Sequence, residues 1–165
     1  HDGRVGMEMI TNQEFDMILL DLMLPKIDGF AVCELIRKES DGSISFGDYT
    51  LDKKTKLADF EVAGDMYKVK TFNEITKLER NGMFVYESTP GTAVNAFKAT
   101  ADEVSFFVEG LGQTQITLEL TAEKEYEVFI SNRAVGKMKT NLGGKLTISV
   151  DADKEAVTHV KVVAI

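Results

Sequence analysis

The spacing of apolar residues changes near residues 39–43, and this change limits what the chain can fold into. Before it, Met7, Met9 and Ile10 share one side of a predicted helix, and an apolar strand follows at Met17–Leu22. A second helix is predicted at Phe30–Lys38. After residue 43 the pattern is that of short strands with period-two alternation and no helices. The sequence therefore predicts an α+β chain: an α-β-α segment at 3–38, then a mainly antiparallel β-sandwich.

This pattern divides the chain into a segment at 1–40 and a β domain at 41–165. The predicted strands of the β domain are Ile44–Tyr49, Phe60–Val62, Tyr67–Lys70, Ile75–Glu79, Met83–Tyr86, Ala93–Lys98, Val104–Val108, Ile116–Leu120, Tyr126–Ile130, Lys145–Val150 and Val157–Ile165. Asn81-Gly82 separates two of these strands and predicts a tight hairpin, because both residues tolerate positive φ.

Residues 21–29, DLMLPKIDG, begin at the end of the apolar strand. This stretch resembles the phosphoacceptor segment of bacterial response-regulator receiver domains, which reads D-x-x-x-P-x-x-D-G. The resemblance implies that Asp21 accepts a phosphoryl group from a histidine kinase, supported by Pro25, Asp28 and Gly29. It also implies Mg²⁺ held by Asp21 and the backbone carbonyl of Met23, if the receiver site is complete. A cytoplasmic protein would follow from the same resemblance.

The rest of a receiver site is not visible in the pattern. A receiver uses an acidic pair on its first strand, and a Ser or Thr and a Lys on two later strands. Phosphoryl transfer depends on positioning and charge neutralisation, so Asp21 alone makes a poor acceptor. We therefore expect a non-enzymatic protein without a cofactor, in which a partial receiver segment is fused to a binding or structural module. The alternative is a two-component response regulator phosphorylated on Asp21.

Charge and composition exclude several partners. The net charge is −8, and residues 41–165 carry fifteen basic and nineteen acidic side chains. No basic cluster suited to nucleic acid or to an anionic membrane is present in the sequence, and no apolar run approaches the length of a membrane span. Cys33 is the only cysteine, so an intrachain disulfide cannot form.

Two weaker resemblances concern the β domain. Residues 108–150 are similar to β-sandwich accessory modules of carbohydrate-active enzymes, which implies a third alternative, carbohydrate binding. The chain has no Trp and 4 Tyr, however, and sugar-binding faces favour exposed aromatic rings; we expect these rings in the core. Residues 44–52 resemble the strand that opens the winged-helix output domain of DNA-binding response regulators, which is the runner-up interpretation.

The strand Met17–Leu22 is apolar at nearly every position, as expected for a strand covered on both faces. We predict that it pairs with a second copy of the chain, giving a homo-oligomer, or docks on the β domain.

Polar residues elsewhere suggest no catalytic site. His159 is expected at an exposed strand position, and Asp151 and Asp153 at a solvated turn rather than a calcium loop. Glu119, Glu125 and Glu127 are expected on an outward acidic face, together with Glu123.

Overall fold

The computed structural model describes residues 35–165, and these residues form thirteen strands. The strands are β1 (Ile36–Lys38), β2 (Ile44–Phe46), β3 (Thr55–Val62), β4 (Asp65–Phe72), β5 (Ile75–Arg80), β6 (Met83–Thr89), β7 (Thr92–Ala99), β8 (Glu103–Gly110), β9 (Gly112–Glu119), β10 (Glu125–Ile130), β11 (Arg133–Lys139), β12 (Lys145–Ala152) and β13 (Thr158–Ala164).

The strands make two antiparallel sheets. Seven form one sheet in the order β1-β2-β7-β8-β13-β10-β11, and six form the other in the order β12-β9-β6-β5-β4-β3. In the six-stranded sheet, β3, β4, β5 and β6 follow one another as a meander. Their connections are only two residues long, at 63–64, 73–74 and 81–82, and such short connections can join only antiparallel neighbours.

The two sheets share one hydrophobic core. Alternate residues point inward, as on β12, where Leu146, Ile148 and Val150 are buried and the residues between them are exposed. Tyr86 of the six-stranded sheet lies edge-on to Phe46 and Phe106 of the seven-stranded sheet, with ring centroids 5.2 and 5.7 Å apart. These contacts across the sheets place the core between their facing surfaces.

A chain of buried hydroxyl groups lies beside this aromatic cluster. Thr92 is central: its backbone N–H donates to Thr76 Oγ1 at 3.0 Å, and its carbonyl accepts from Thr76 Oγ1 at 2.8 Å. Its hydroxyl lies 2.8 Å from both Tyr86 OH and Ser88 Oγ. Because Thr76 gives its one proton to that carbonyl, Thr71 must donate in the 2.8 Å bond between the two threonine hydroxyls. All five residues are fully buried, so each bond satisfies groups that water cannot reach.

Gly91 permits the close approach of this region to the β4–β5 turn. A Cβ at this position would lie 2.0 Å from the carbonyl oxygen of Phe72. The Gly91 N–H donates to the Asn73 carbonyl at 3.0 Å. Any side chain here would push the β4–β5 turn away from the buried Thr92.

The α+β prediction is wrong for the described residues, whose regular elements are thirteen strands. The predicted helix Phe30–Lys38 ends instead in strand β1, whose residues pair with β2 in the register Ile36↔Phe46. Ile36 is 1% exposed in the core, so pairing and burial override the helical spacing of the sequence. The predicted helix near the N-terminus, the strand Met17–Leu22 and residues 30–34 lie outside the described residues.

Most strands predicted for the β domain are found, with shifted ends. The Asn81-Gly82 hairpin is confirmed, with φ of 53° and 80° at its two residues. Strand β11 was not predicted, because nearly all of it is exposed and it lacks alternation. The winged-helix interpretation is wrong, since strands β3 to β5 follow where three helices were required.

We predict that Thr76→Val destabilises the protein by about 1–3 kcal/mol, since it removes the side-chain acceptor of the buried Thr92 N–H and one of the bonds of the buried Thr71 hydroxyl. Urea unfolding measures the change. Thr117→Val is the matched control, because the Thr117 hydroxyl bonds only the exposed Thr147 hydroxyl; it should change stability by less than about 0.5 kcal/mol. Equal losses in the two variants would contradict a structural role for the hydroxyl chain.

Burial raises the pKa of Tyr86 above its ordinary value, although hydrogen bonds with Thr92 and Ser88 act against this. A raised folded-state pKa means that the unfolded chain loses this proton first, so stability is complete below pH ~10 and falls above it. We expect Tyr86→Phe to be less stable than the parent at neutral pH and the difference to shrink above pH ~10. Urea midpoints measured across this range test it; a difference independent of pH would contradict it.

Candidate functional site

Two neighbouring clefts lie between the sheets, where the β5–β6 and β7–β8 hairpins turn. Their volumes are about 290 and 270 Å³. We call them together the Arg80 groove. Arg80, Val85, Phe97 and Ala99 line both clefts, Phe84 and Leu118 belong to the first, and Ile44 and Tyr67 to the second. The groove thus has a mainly apolar lining with charged groups at its rim.

Arg80 is the cation that this groove offers to a ligand. Among the described residues, no carboxylate lies within ion-pair distance of its guanidinium. The other rim charges are paired: Lys98 lies 3.0 Å from Asp41, and Lys145 lies 3.4 Å from Glu119. An exposed guanidinium beside apolar walls suits a ligand with an apolar body and a carboxylate or phosphate group.

The Asn81-Gly82 turn holds Arg80 in place. The side-chain oxygen of Asn81 accepts from the Met66 N–H at 2.9 Å, and its amide nitrogen donates to Asp65 at 2.9 Å. The Asn81 N–H donates to the Met66 carbonyl at 2.7 Å. These bonds tie the β5–β6 turn to the start of β4, so the backbone of Arg80 is fixed while its side chain is exposed.

Asp41 is fixed at the other rim by its own turn. Its carboxylate accepts from the Ser43 hydroxyl at 2.6 Å and the Ser43 N–H at 3.0 Å. These bonds, with the nearby Lys98, hold the pKa of Asp41 well below its usual range. The side chain is half exposed, so its charge contributes little to stability. It stays ionised and gives the second cleft a fixed negative charge.

The residues predicted for a phosphoacceptor site lie outside the described part of the chain. They are Asp21, Met23, Pro25, Asp28 and Gly29. Their predicted roles therefore stay predictions.

His159 is half-buried rather than exposed. Its ring stacks on Phe107 with centroids 4.6 Å apart, and its Nε2 lies 3.0 Å from Ser105 Oγ. Within the described residues, no carboxylate bonds the other ring nitrogen, so the third group that would orient a catalytic histidine is missing. The pair stabilises the outer face of the seven-stranded sheet.

The acidic residues discussed above do not assemble into a site. In residues 35–165, no group of three His, Cys, Asp or Glu side chains could hold a metal ion. Asp153 accepts from the Glu155 N–H at 2.7 Å, which makes it a turn residue. The expected acidic face is divided, because Glu119 lies on the six-stranded sheet whereas Glu125 and Glu127 lie on the seven-stranded sheet.

The described residues expose few aromatic rings on which a sugar could stack. All four tyrosines are buried, each at 8% exposure or less. Phe107 is the most exposed aromatic ring in the described part, and His159 covers one of its faces. The tyrosines lie in the core, as expected from the sequence.

Sequence reasoning did not identify the Arg80 groove. The available signal was Arg80 itself, a long cation placed directly before a tight Asn-Gly turn. The groove also needs β7 and β8 of the other sheet, and no local pattern predicts which hairpins meet across a core.

Residues 1–79 match the family model of the response regulator receiver domain. In the structure, no helix of the described region is long and apolar enough to cross a membrane. No solved structure matches the chain.

Among curated proteins, "Probable transcriptional regulator ycf27" of Cyanidium caldarium is 38% identical over 72 residues, covering 44% of this chain and 29% of the relative. "Uncharacterized transcriptional regulatory protein YclJ" of Bacillus subtilis is 34% identical over 80 residues, covering 48% and 35%. "Response regulator ArlR" of Staphylococcus aureus is 29% identical over 128 residues, covering 78% and 57%. The chain thus spans less than two thirds of each of these relatives.

Residues 36–79 lie within the range that matches the receiver family, but they do not have a receiver fold. The range 1–79 runs through β1 to β4 and into β5, all of which pair in antiparallel fashion. The first part of this chain is thus similar to response-regulator receiver domains, while its described residues have an antiparallel two-sheet fold.

Proposed function

We propose that this chain acts in two-component signal transduction, with Asp21 as the phosphoacceptor and a histidine kinase as the partner. The observation that carries the proposal is the receiver match over residues 1–79, which contains the complete DLMLPKIDG motif. The names of the relatives, a response regulator and a probable transcriptional regulator, support the same signalling role. A cytoplasmic location follows from it.

In this proposal the chain has two parts, a receiver-derived segment at 1–40 and a β-sandwich output module at 41–165. The segment is joined to the module by more than a linker. Its strand β1 pairs with β2, and Leu35 and Ile36 are buried in the shared core. We therefore propose that a change at residues 21–29 acts on the sheets through β1.

The chemistry at Asp21 would depend on charge neutralisation. Asp21 and the Met23 carbonyl would hold Mg²⁺, which when bound neutralises the phosphoryl oxygens. Residues 36–79 form antiparallel strands instead of receiver strands, so they do not place a Thr and a Lys as a receiver does. We therefore expect slow, partial phosphorylation, and no enzymatic activity of the chain itself.

We predict that acetyl phosphate and Mg²⁺ add one phosphoryl group to the full chain, detected as intact mass, and that Asp21→Asn abolishes the addition. Asp16→Asn is the matched control and should leave the phosphoryl addition unchanged, since Asp16 lies before the predicted strand Met17–Leu22 and Asp21 lies at its end. An addition that survives Asp21→Asn, or no addition at all, would contradict the phosphoacceptor role.

Two of the relatives are named as transcriptional regulators. We propose that the described module of this chain does not bind DNA. Its charge balance is slightly acidic, and the exposed basic residues of β11, Arg133, Lys137 and Lys139, form one short edge strand. We propose that the output of the module is a protein or small-molecule contact, without a nucleic acid or membrane partner.

Self-association through Met17–Leu22 also stays part of this proposal, as does its rival, docking of that strand on the β domain. Leu20→Asp places a charge in whichever contact exists and should lower oligomer content or solubility. Light scattering distinguishes the two, because docking leaves the chain monomeric.

A second function, ligand binding in the Arg80 groove, rests on the exposed Arg80 guanidinium beside apolar walls, with which no carboxylate of residues 35–165 pairs. We predict that Arg80→Gln weakens binding of a small aromatic acid several-fold or more, as seen by ligand-observed NMR. Arg133→Gln, at an exposed position of β11, is the control and should leave binding unchanged. Equal binding of the matched aromatic amine would contradict a role for the guanidinium.

A further inference from the structure

Residues 35–165 form two sheets with four edges, and three of these edges carry features that discourage pairing with another strand. Strand β1 is only three residues long. Strand β3 is interrupted by a register shift between Leu57 and Phe60, where Asp59 has a φ of 60°. Strand β11 pairs across another register shift and carries three cations in seven residues. Short strands, bulges and lysines are the usual protections of an exposed edge.

Strand β12 lacks these protections. It pairs with β9 over eight consecutive positions, from Lys145↔Glu119 to Ala152↔Gly112, without a register shift. It contains no proline, and its exposed side chains are small or short: Thr147, Ser149 and Asp151. A regular edge of this kind is a template for a further strand.

The hydrogen bonds around β12 show which backbone groups face outward. The Gly144 carbonyl accepts from the N–H of Leu120, which directly follows β9 and continues its register with β12, so residues at even positions of β12 bond to β9 and residues at odd positions face the outer edge. Two contacts agree: Lys145 exchanges bonds with Asn141, and the Asp151 carbonyl accepts from Thr158. With respect to residues 35–165, the open groups at the middle of the edge are therefore the N–H and C=O of Thr147 and Ser149.

We infer that a second copy of this chain pairs with β12 in antiparallel fashion, about a two-fold axis at Ile148. In this register the side chain of Lys145 in each copy faces that of Asp151 in the other, while the outward backbone groups of both residues keep their bonds within the chain. Leu146 faces Val150 on the buried side, and Thr147 faces Ser149 on the exposed side. Each side chain therefore faces a compatible one: a cation faces an anion, an apolar group faces an apolar group, and a hydroxyl faces a hydroxyl.

The charges select this register. Moving the axis to residue 147 places Lys145 opposite Ser149 and Asp151 opposite Gly143. Moving it to residue 149 places Asp151 opposite Thr147 and Lys145 opposite Asp153, which lies beyond the end of β12, so only the axis at residue 148 pairs both charges of β12. At residue 148, Thr147 and Ser149 exchange both backbone bonds in each half, which gives four intermolecular hydrogen bonds. The contact is far smaller than a stable interface, so the dimer is weak and reversible.

Proline at residue 149 tests the pairing. The Ser149 N–H faces the free edge, where proline is tolerated because it removes no bond to β9. Ser149→Pro deletes two of the four intermolecular bonds and should raise the dimer dissociation constant by about tenfold or more, measured by sedimentation equilibrium of the full chain. Ser149→Ala keeps the N–H and should leave the constant unchanged.

Charge reversal tests the register. Asp151→Lys sets two lysines opposite each other, and Lys145→Glu sets two carboxylates opposite each other, so each variant alone should dimerise less. An equimolar mixture of the two restores both pairs and should form heterodimers. Thermal unfolding of each variant checks its fold, because Lys145 also pairs with Glu119.

Amide exchange separates this contact from association through Met17–Leu22. Protection of the Thr147 and Ser149 amides should rise with protein concentration, while that of Ile148, already bonded to β9, should not. A chain that stays monomeric up to millimolar concentration would overturn the inference. A dimer that persists in Ser149→Pro but is lost in Leu20→Asp would also overturn it. So would a mixture of Asp151→Lys and Lys145→Glu that dimerises no better than either variant alone.

Discussion

The packing of the two sheets depends on two features of Tyr86: its buried ring and its buried hydroxyl group. Its ring fills the centre of the core against three phenylalanines of the opposite sheet, Phe46, Phe97 and Phe106. Its hydroxyl must also find a buried partner, and Thr92 supplies it at 2.8 Å. The ring can be fully desolvated only while that bond holds. The relative position of the two sheets is therefore set by a polar contact inside an apolar core.

Much of the β domain could be predicted because its signals are local. Period-two burial on β12 and the Asn81-Gly82 turn both follow from neighbouring residues. Two further elements could not be predicted in this way. Strand β1 has helical spacing and becomes extended only because β2 pairs with it. Strand β11 is exposed, so burial leaves no pattern in its sequence.

The Arg80 groove was beyond prediction for a different reason. Its residues come from hairpins of both sheets, and no single stretch of the sequence shows that these hairpins lie next to each other. Phe97 lines both clefts and is also part of the aromatic core. The groove is thus continuous with the packing that Tyr86 organises. The predicted residues at 21–29 lie outside the described chain, so the structure leaves their roles as predictions.

Similarity to receiver domains does not bring the receiver topology to residues 36–79, and the turns explain why. A receiver alternates strands with helices, which lets parallel strands lie side by side. Here two-residue turns at 63–64 and 73–74 connect successive strands. Ala63 and Gly64 both have positive φ, of 52° and 88°, as a tight hairpin requires. A parallel pair needs a crossover of a dozen or more residues. Once these turns form, β3, β4 and β5 must be antiparallel, whatever sequence similarity the region retains.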